Sequence, residues 1–273
     1  MTGPCSKQNP LIFAIFAKHE TPNLRAVEIG MNILVCISVV PDTTTKISFT
    51  DNDTAFQTSG VQFILNPYDE LALTRGLEIA EANGGKVTVV HVGLSDSEAV
   101  IRKALSMGAE AAIRINAAPT DAQQVASELA AIAGGYDLIL TGRESIDYNG
   151  GLICGLLGAA LNIPSINVVT RIDYINGTWS FDRDIDGGKE SVSVQGPCVA
   201  SAQKDLCEPR IPNMRGIMAA RTKPLTVLEP KNNASGVTYT QFELPAPKQG
   251  VKLIDPSQAA ELISLLKNEA KVL

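Results

Sequence analysis

From Met31 onward, short runs of β-branched residues alternate with segments whose apolar positions recur at helical spacing. That alternation predicts a parallel sheet covered by helices on both faces. Asn32 to Val40, NILVCISVV, is a continuous apolar run and predicts one central strand. After Asn66-Pro67, the segment Tyr68 to Ala82 carries Leu73, Leu77 and Ala80 on one face and stops at Gly84-Gly85, so it predicts a helix. Lys86 to Gly93 predicts the second strand. A helix with Val100, Ile101, Ala104 and Leu105 ends at Gly108, Ala111 to Ile115 predicts a strand, a helix follows with Val125, Leu129 and Ile132, and Tyr136 to Gly142 closes the series as a buried strand. The next helix is expected to begin near Gly150.

The texture changes twice. Past Pro164, Val168 to Tyr174, Thr178 to Arg183 and Lys189 to Val194 predict strands joined at Asn176-Gly177 and Asp186-Gly187-Gly188, both hairpin signals. Residues 42–60 are polar and read as a loop first, with Ile47, Phe49 and Phe56 spaced for a small hairpin. Residues 224–256 hold five prolines and little periodicity, the pattern of an extended arm. Ala259, Leu262, Ile263 and Leu266 then mark a terminal helix with one apolar face to bury. The expected organisation is an N-terminal extension or over-long start over 1–30, an α/β domain over 31–223 and an arm with its helix over 224–273, packing on a partner.

Composition removes several classes of function. The chain has 273 residues, 45% of them hydrophobic, and a net charge of −6, which argues against the concentrated basic face of a nucleic-acid protein. Five cysteines with no CxxC pair indicate neither a disulfide framework nor a thiolate metal site, and predict a reducing compartment, the cytoplasm. The apolar run Leu11 to Ala17 lacks the cleavage context of a signal peptide, and Gly150 to Ile163, the most apolar stretch, is too short to span a bilayer. There are two histidines, His19 and His91, and no GxxxxGK[ST], GxSxG or HExxH motif. His91 reads as a satisfied strand residue, and Asp182, Asp184 and Asp186 as a solvated acidic face rather than a cation site. No catalytic residues and no metal are expected, which favours a carrier or binding role.

Three segments carry chemistry. The loop TGRESIDYNGGLI, Thr141 to Ile153, leaves a strand and enters a helix at Gly150-Gly151. Helix-start N–H groups and glycines suit a phosphate, although such a turn also serves packing alone. Asn66-Pro67-Tyr68-Asp69-Glu70 opens a helix and reads equally as a cap with acidic residues in its first turn. Residues 196–224 combine Leu206, Ile211, Met214 and Met218 with Arg210, Arg215, Arg221 and Lys223 in a Pro-stiffened stretch, a composition that suits docking onto a partner.

Taken together, EPRIPNMRGIMAARTKP, IDGGKE at 185–190, NPYDE at 66–70, VPDT at 40–43 and SID at 145–147 resemble the β subunits of electron-transfer flavoproteins, from Met31 to about residue 270. The resemblance implies a doubly wound, Rossmann-like sheet of the adenine nucleotide α-hydrolase kind, with a β-hairpin region and a C-terminal arm ending in a helix. It implies a heterodimer with a larger α subunit that holds most of an FAD, shuttling electrons from flavin dehydrogenases, such as acyl-CoA dehydrogenases, to a membrane-bound acceptor. It implies that this chain itself binds AMP or a second FAD. Carried over by position, Cys36, Asn66, Pro67, Tyr68, Asp69, Val92, Gly142, Ser145, Asp147, Tyr148, Asn149, Gly150, Gly151, Leu152 and Ile153 would contact the nucleotide, Tyr68 would also approach the flavin, Leu206 would anchor the dehydrogenase-docking loop (about 196–212), and Asp184 would face the α subunit. In the phosphate loop, Asp147 to Cys154 lacks the Thr, Gln and downstream Gly common in that family. A second reading is a stand-alone adenine-nucleotide-binding domain of the stress-protein kind, which leaves residues 196–273 without a role.

Overall fold

The computed structural model describes residues 30–231, 235–247 and 250–273. In chain order the elements are β1 (Asn32–Cys36), β2 (Val39–Pro41), β3 (Phe49–Thr50), β4 (Ala55–Phe56), β5 (Phe63–Leu65), α1 (Pro67–Asn83), β6 (Lys86–Val92), α2 (Glu98–Met107), β7 (Ala111–Ile115), α3 (Ala122–Ala130), β8 (Leu138–Gly142) and α4 (Ile153–Leu161). β9 (Ser165–Ile175), β10 (Thr178–Ile185), β11 (Gly188–Gln195), β12 (Cys198–Ala202), α5 (Met214–Ala220), β13 (Leu225–Leu228) and α6 (Ala259–Asn268) follow.

Among the described residues one sheet runs in the order β11-β10-β9-β12-β8-β1-β6-β7-β13. It is parallel from β9 to β13, and β9, β10 and β11 form an antiparallel meander at one end. Alternating side chains separate two apolar layers. Ile33, Val35 and Val89 meet Leu73 and Leu77 of α1 and Ile101 and Leu105 of α2, and the same layer continues to Trp179 and Phe181. Leu34, Cys36, Val90 and Ile139 meet Leu129 of α3 and Leu157 of α4 on the other face. The chain winds from β1 toward β6 and β7, then returns to place β8 on β1's opposite side, so the winding reverses between Cys36 and Gly142. In a doubly wound sheet that reversal leaves a crevice at the carboxyl ends of the two strands.

The local signals work as expected at most ends. Gly84 closes α1 with φ 64°, and Asn176 and Gly177 (φ 51° and 81°) supply the positive φ pair of a tight β9–β10 turn. Of the described residues, those from 30 to 42 and from 63 to 236 form one compact unit, and those from 43 to 62 and from 237 to 273 form a second. In the second unit the small hairpin β3–β4 is present, Phe49 stacks on Phe242 at 5.2 Å between ring centres, and the Phe242 N–H donates to Asp53 O at 2.7 Å. No helix among the described residues is long and apolar enough to cross a membrane.

Several boundaries differ from the sequence reading, and Cys198–Ala202, expected within the docking loop of about 196–212, is instead the buried strand β12 between β8 and β9. The run expected as one strand over 32–40 breaks after Cys36, and Val39–Pro41 pairs with β5 in a separate ladder. Its cause is the buried Asp69 carboxylate, which takes both the N–H and the hydroxyl of Ser38. The helix expected from Gly150 starts at Ile153, because Ser145 and Gly150 pair across a tight turn in which Asn149 has φ 51°. Leu225–Leu228, expected in an extended arm, pairs with β7 as an edge strand. Residues 1–29, with the expected N-terminal extension and His19, lie outside the described residues.

Candidate functional site

The crevice at the winding reversal is built by three connections. Cys36, Ile37 and Ser38 lead out of β1, Thr141 to Ser145 lead out of β8, and Gly150, Gly151 and Ile153 lead into α4. Asp69 of α1 closes one side, and Val125 and Leu129 of α3 another, around a cavity of about 80 Å³. Asp69 is 4% exposed, and its carboxylate accepts from Ser38 N at 2.7 Å, Ser38 Oγ at 2.6 Å and Gly142 N at 2.8 Å. Burial pushes this carboxyl up to about 6 against the pull of those donors. Gly142 has no alternative at its position, since a Cβ there would collide with Asp69 Oδ1 and the Tyr68 Cβ.

Asn66, 1% exposed, ties the same loop from the other end: its Nδ2 donates to Glu144 O at 2.8 Å and its Oδ1 accepts from Ile146 N at 3.4 Å. The start of α1 therefore holds the loop that follows β8. At the mouth, Asp147 accepts from the Ser145 hydroxyl and from Tyr148 N, folding the loop tip on itself. Leu152, the N-cap of α4, makes no side-chain cap hydrogen bond. The N–H groups of such a helix start carry partial positive charge and are ordinarily satisfied by a cap, water or an anion.

Of the nucleotide residues implied by the resemblance, Cys36, Asp69, Gly142, Ser145, Gly150, Gly151 and Ile153 come together around the cavity. Asn66 ties the loop after β8, and Pro67 opens α1 as its first residue. Val92 is buried in the apolar layer that also holds Cys36 and Leu129. Tyr68 packs against the opposite layer, beneath the Arg143 guanidinium at 4.9 Å from its ring centre, so it does not line the crevice. Tyr148 and Leu152 are exposed at the loop tip with Asp147 and Asn149. Ser38, Val125 and Leu129 line the cavity and were not anticipated. Ser38 had a signal, as the one hydroxyl inside the run NILVCISVV. The two α3 side chains had none, because helical spacing names an apolar face and not its neighbour.

The thiols and the histidine here are inert as nucleophiles or bases. Burial raises Cys36 and pushes Cys154 and Cys198 up to about 12, so all three stay protonated at neutral pH. His91 is 5% exposed, its Nδ1 lies 2.9 Å from Ile37 O, and burial lowers it, which keeps the ring neutral. Asp182 accepts from the Ser191 hydroxyl at 2.6 Å and lies 3.6 Å from Arg171, while Asp184 lies 3.9 Å from Lys189. No group of three or more candidate metal ligands occurs among the described residues.

The segment 203–223 is laced to the helices beneath it. Arg210 makes a two-pronged pair with Glu81 at 2.7 and 2.9 Å, and its N–H donates to Thr74 Oγ1 at 2.9 Å. Arg102 of α2 donates to Ala220 O and Lys223 O at 2.8 and 2.7 Å, and Lys223 returns hydrogen bonds to Leu105 O and Ala109 O at 2.9 and 2.6 Å. Arg102 of α2 thus caps the carboxyl end of α5, and Lys223, beyond the end of α5, caps that of α2. Two of the four cations noted in the sequence, Arg210 and Lys223, serve this internal lacing, while Arg215 and Arg221 are exposed. Leu206, expected as a protruding anchor, is instead buried in the α1-side layer at 9% exposure. The residues that protrude are Ile211 at 88%, Met214 at 74% and Met218 at 57%. Asp205 at φ 74° turns the chain so that its neighbour points inward.

Residues 53–233 match the family described as "Electron transfer flavoprotein domain". Among curated proteins, the "Electron transfer flavoprotein subunit beta" of Bacillus subtilis is 35% identical over 89% of this chain and 100% of its own length. Its namesake from Syntrophomonas wolfei is 33% identical over 89% of this chain and 98% of its own. That of Mycobacterium bovis is 30% identical over 85% of this chain and 96% of its own.

Proposed function

Because this chain belongs to the electron transfer flavoprotein β-subunit family, we propose that it is the smaller half of a heterodimeric electron carrier, holding AMP in the β1/β8 crevice and docking flavin dehydrogenases through residues 211–218. Members of the family are electron-transfer components rather than enzymes, and flavin held chiefly by the larger subunit supplies the redox chemistry. The contribution of this chain is to bind, to orient and to present a surface.

The observation that carries the nucleotide part is the uncapped start of α4 facing the winding reversal, with Gly150 and Gly151 ahead of it. Backbone donors there replace the side-chain phosphate contacts that Asp147 to Cys154 lacks relative to the family pattern. Gly151 lies close against its own loop, since a Cβ on it would stand 3.2 Å from Arg143 O. At about 80 Å³ the cavity is smaller than the ~300 Å³ at the low end of small-molecule sites, so either nucleotide requires the loop over 143–152 to move outward, AMP by less than a second FAD. Docking is supported by Ile211 and Met214, apolar side chains held outward on a segment that Arg210 and Lys223 keep rigid.

The test is to co-express the chain with its large-subunit partner, purify the pair, release ligands by heat and separate them by chromatography. One FAD and one AMP per heterodimer are expected. A colourless monomer without nucleotide refutes the proposal, and two FAD per heterodimer replaces AMP in it.

A further inference from the structure

The Asp69 side chain reaches both walls of the crevice. Its Oδ2 takes the Ser38 N–H and hydroxyl from the strand end after β1, and its Oδ1 takes the Gly142 N–H from the end of β8. We infer that Asp69 is a positioning residue for the nucleotide: it sets the width of the crevice by locking these two walls together and orients the loop into α4, without itself binding the ligand. This rests on the nucleotide reading above and goes beyond it, since the family resemblance makes Asp69 a direct contact.

Three observations support the role. Both carboxylate oxygens are already engaged by protein donors, which leaves little capacity for a ligand. The same carboxylate breaks the β1 run, drawing Ser38 away from the ladder that ends with Ile37 N donating to Val90 O at 2.9 Å. The side-chain-free Gly142 allows the approach, because a Cβ would overlap Oδ1.

Protonation of Asp69 weakens its hold: the Ser38 and Gly142 N–H groups can only donate and lose a charged acceptor, and the Ser38 hydroxyl alone can turn to accept. The charged neighbours do not relieve this. Cys36 from β1 and Cys154 from α4 are thiols that burial keeps protonated, and α3 contributes only Val125 and Leu129 to the cavity. Arg143 is engaged by Glu144 at 2.6 Å and stacks on Tyr68, and Glu70 of α1 pairs with Lys103 at 2.5 Å. Burial puts the Asp69 carboxyl at about 6, so the lock loosens as pH falls through that value.

The purified heterodimer is to be followed for AMP release by ultrafiltration and chromatography from pH 8 to pH 5, with amide exchange at Ser38 and Gly142 read in the same samples. Release is expected to quicken roughly tenfold between pH 7 and 5, as a carboxyl with that pKa goes from mostly ionised to mostly protonated. Asp69→Asn should release fast and evenly across the range, and Ser38→Ala, which keeps the amide, should lie between. An Asp69→Asn protein with the wild-type pH profile overturns the inference. If no AMP is carried, the nucleotide reading fails by itself. The exchange data then decide the lock: protection at Gly142 lost below pH 6 and in Asp69→Asn supports it, and unchanged protection overturns it.

Discussion

Leu206→Ala and Met214→Ala form a pair whose effects should fall on different measurements. Leu206 is 9% exposed within the layer formed by α1 and the sheet, whereas Met214 is 74% exposed on α5. Truncating Leu206 removes three buried carbons at about 0.8 kcal/mol each and leaves a cavity, about 3 kcal/mol in all. For a domain of this size that lowers the melting temperature by roughly 6 to 12 °C. Truncating Met214 removes side chain already in water and should change stability by under ~0.5 kcal/mol. If Met214 anchors the dehydrogenase, its loss costs about 2 kcal/mol of association, about 30-fold in affinity. The assay is a thermal melt of each heterodimer beside stopped-flow reduction of its flavin by a partner dehydrogenase, with dehydrogenase concentration varied. Wild-type melting of Leu206→Ala together with slowed reduction would refute the reasoning, and so would unaltered kinetics in Met214→Ala.

Two further outcomes follow from the same geometry. Lys223→Met should lose about 1 to 2 kcal/mol, because Leu105 O and Ala109 O lose a charged donor, while Arg215→Met on the exposed face stays within ~0.5 kcal/mol; equal denaturation midpoints for the two would count against the capping role. For Asp69 the global sign is opposite to the local one. Its carboxyl is raised from 3.8 to about 6, so the folded state binds the proton more tightly, and the group's contribution to stability is full below the unfolded value and lost as pH rises through about 6, about 3 kcal/mol in all. The difference in unfolding free energy between wild type and Asp69→Asn should therefore shift in the variant's favour as pH rises from 4 to 7, and a difference that stays flat with pH would contradict a buried, titrating carboxylate.

The sequence by itself determined the alternation of strands and helices, the hairpin at Asn176-Gly177, the family and the position of the Gly150-Gly151 loop. These are local matters: periodicity, turn residues and contiguous motifs act within a few residues of one another. It also marked 196–224 as a docking segment without distinguishing its inward from its outward apolar side chains. Leu206 and Met214 are equally apolar letters, and only the turn at Asp205 and the lacing through Arg210 and Lys223 decide that one is buried and the other presented. The edge strand Leu225–Leu228 needed a free ladder on β7 to exist, and that vacancy is a property of the sheet order. Asp69 makes the same point most sharply. In the sequence it is an acidic residue in the first turn of a helix, a common electrostatic convenience. The tertiary structure brings it within hydrogen-bonding distance of Ser38 and Gly142, 31 and 73 residues away, so that one carboxylate breaks a strand, joins two loops and shapes the crevice. Separations of that length are closed by the packing of α1 across the sheet, which no local pattern encodes.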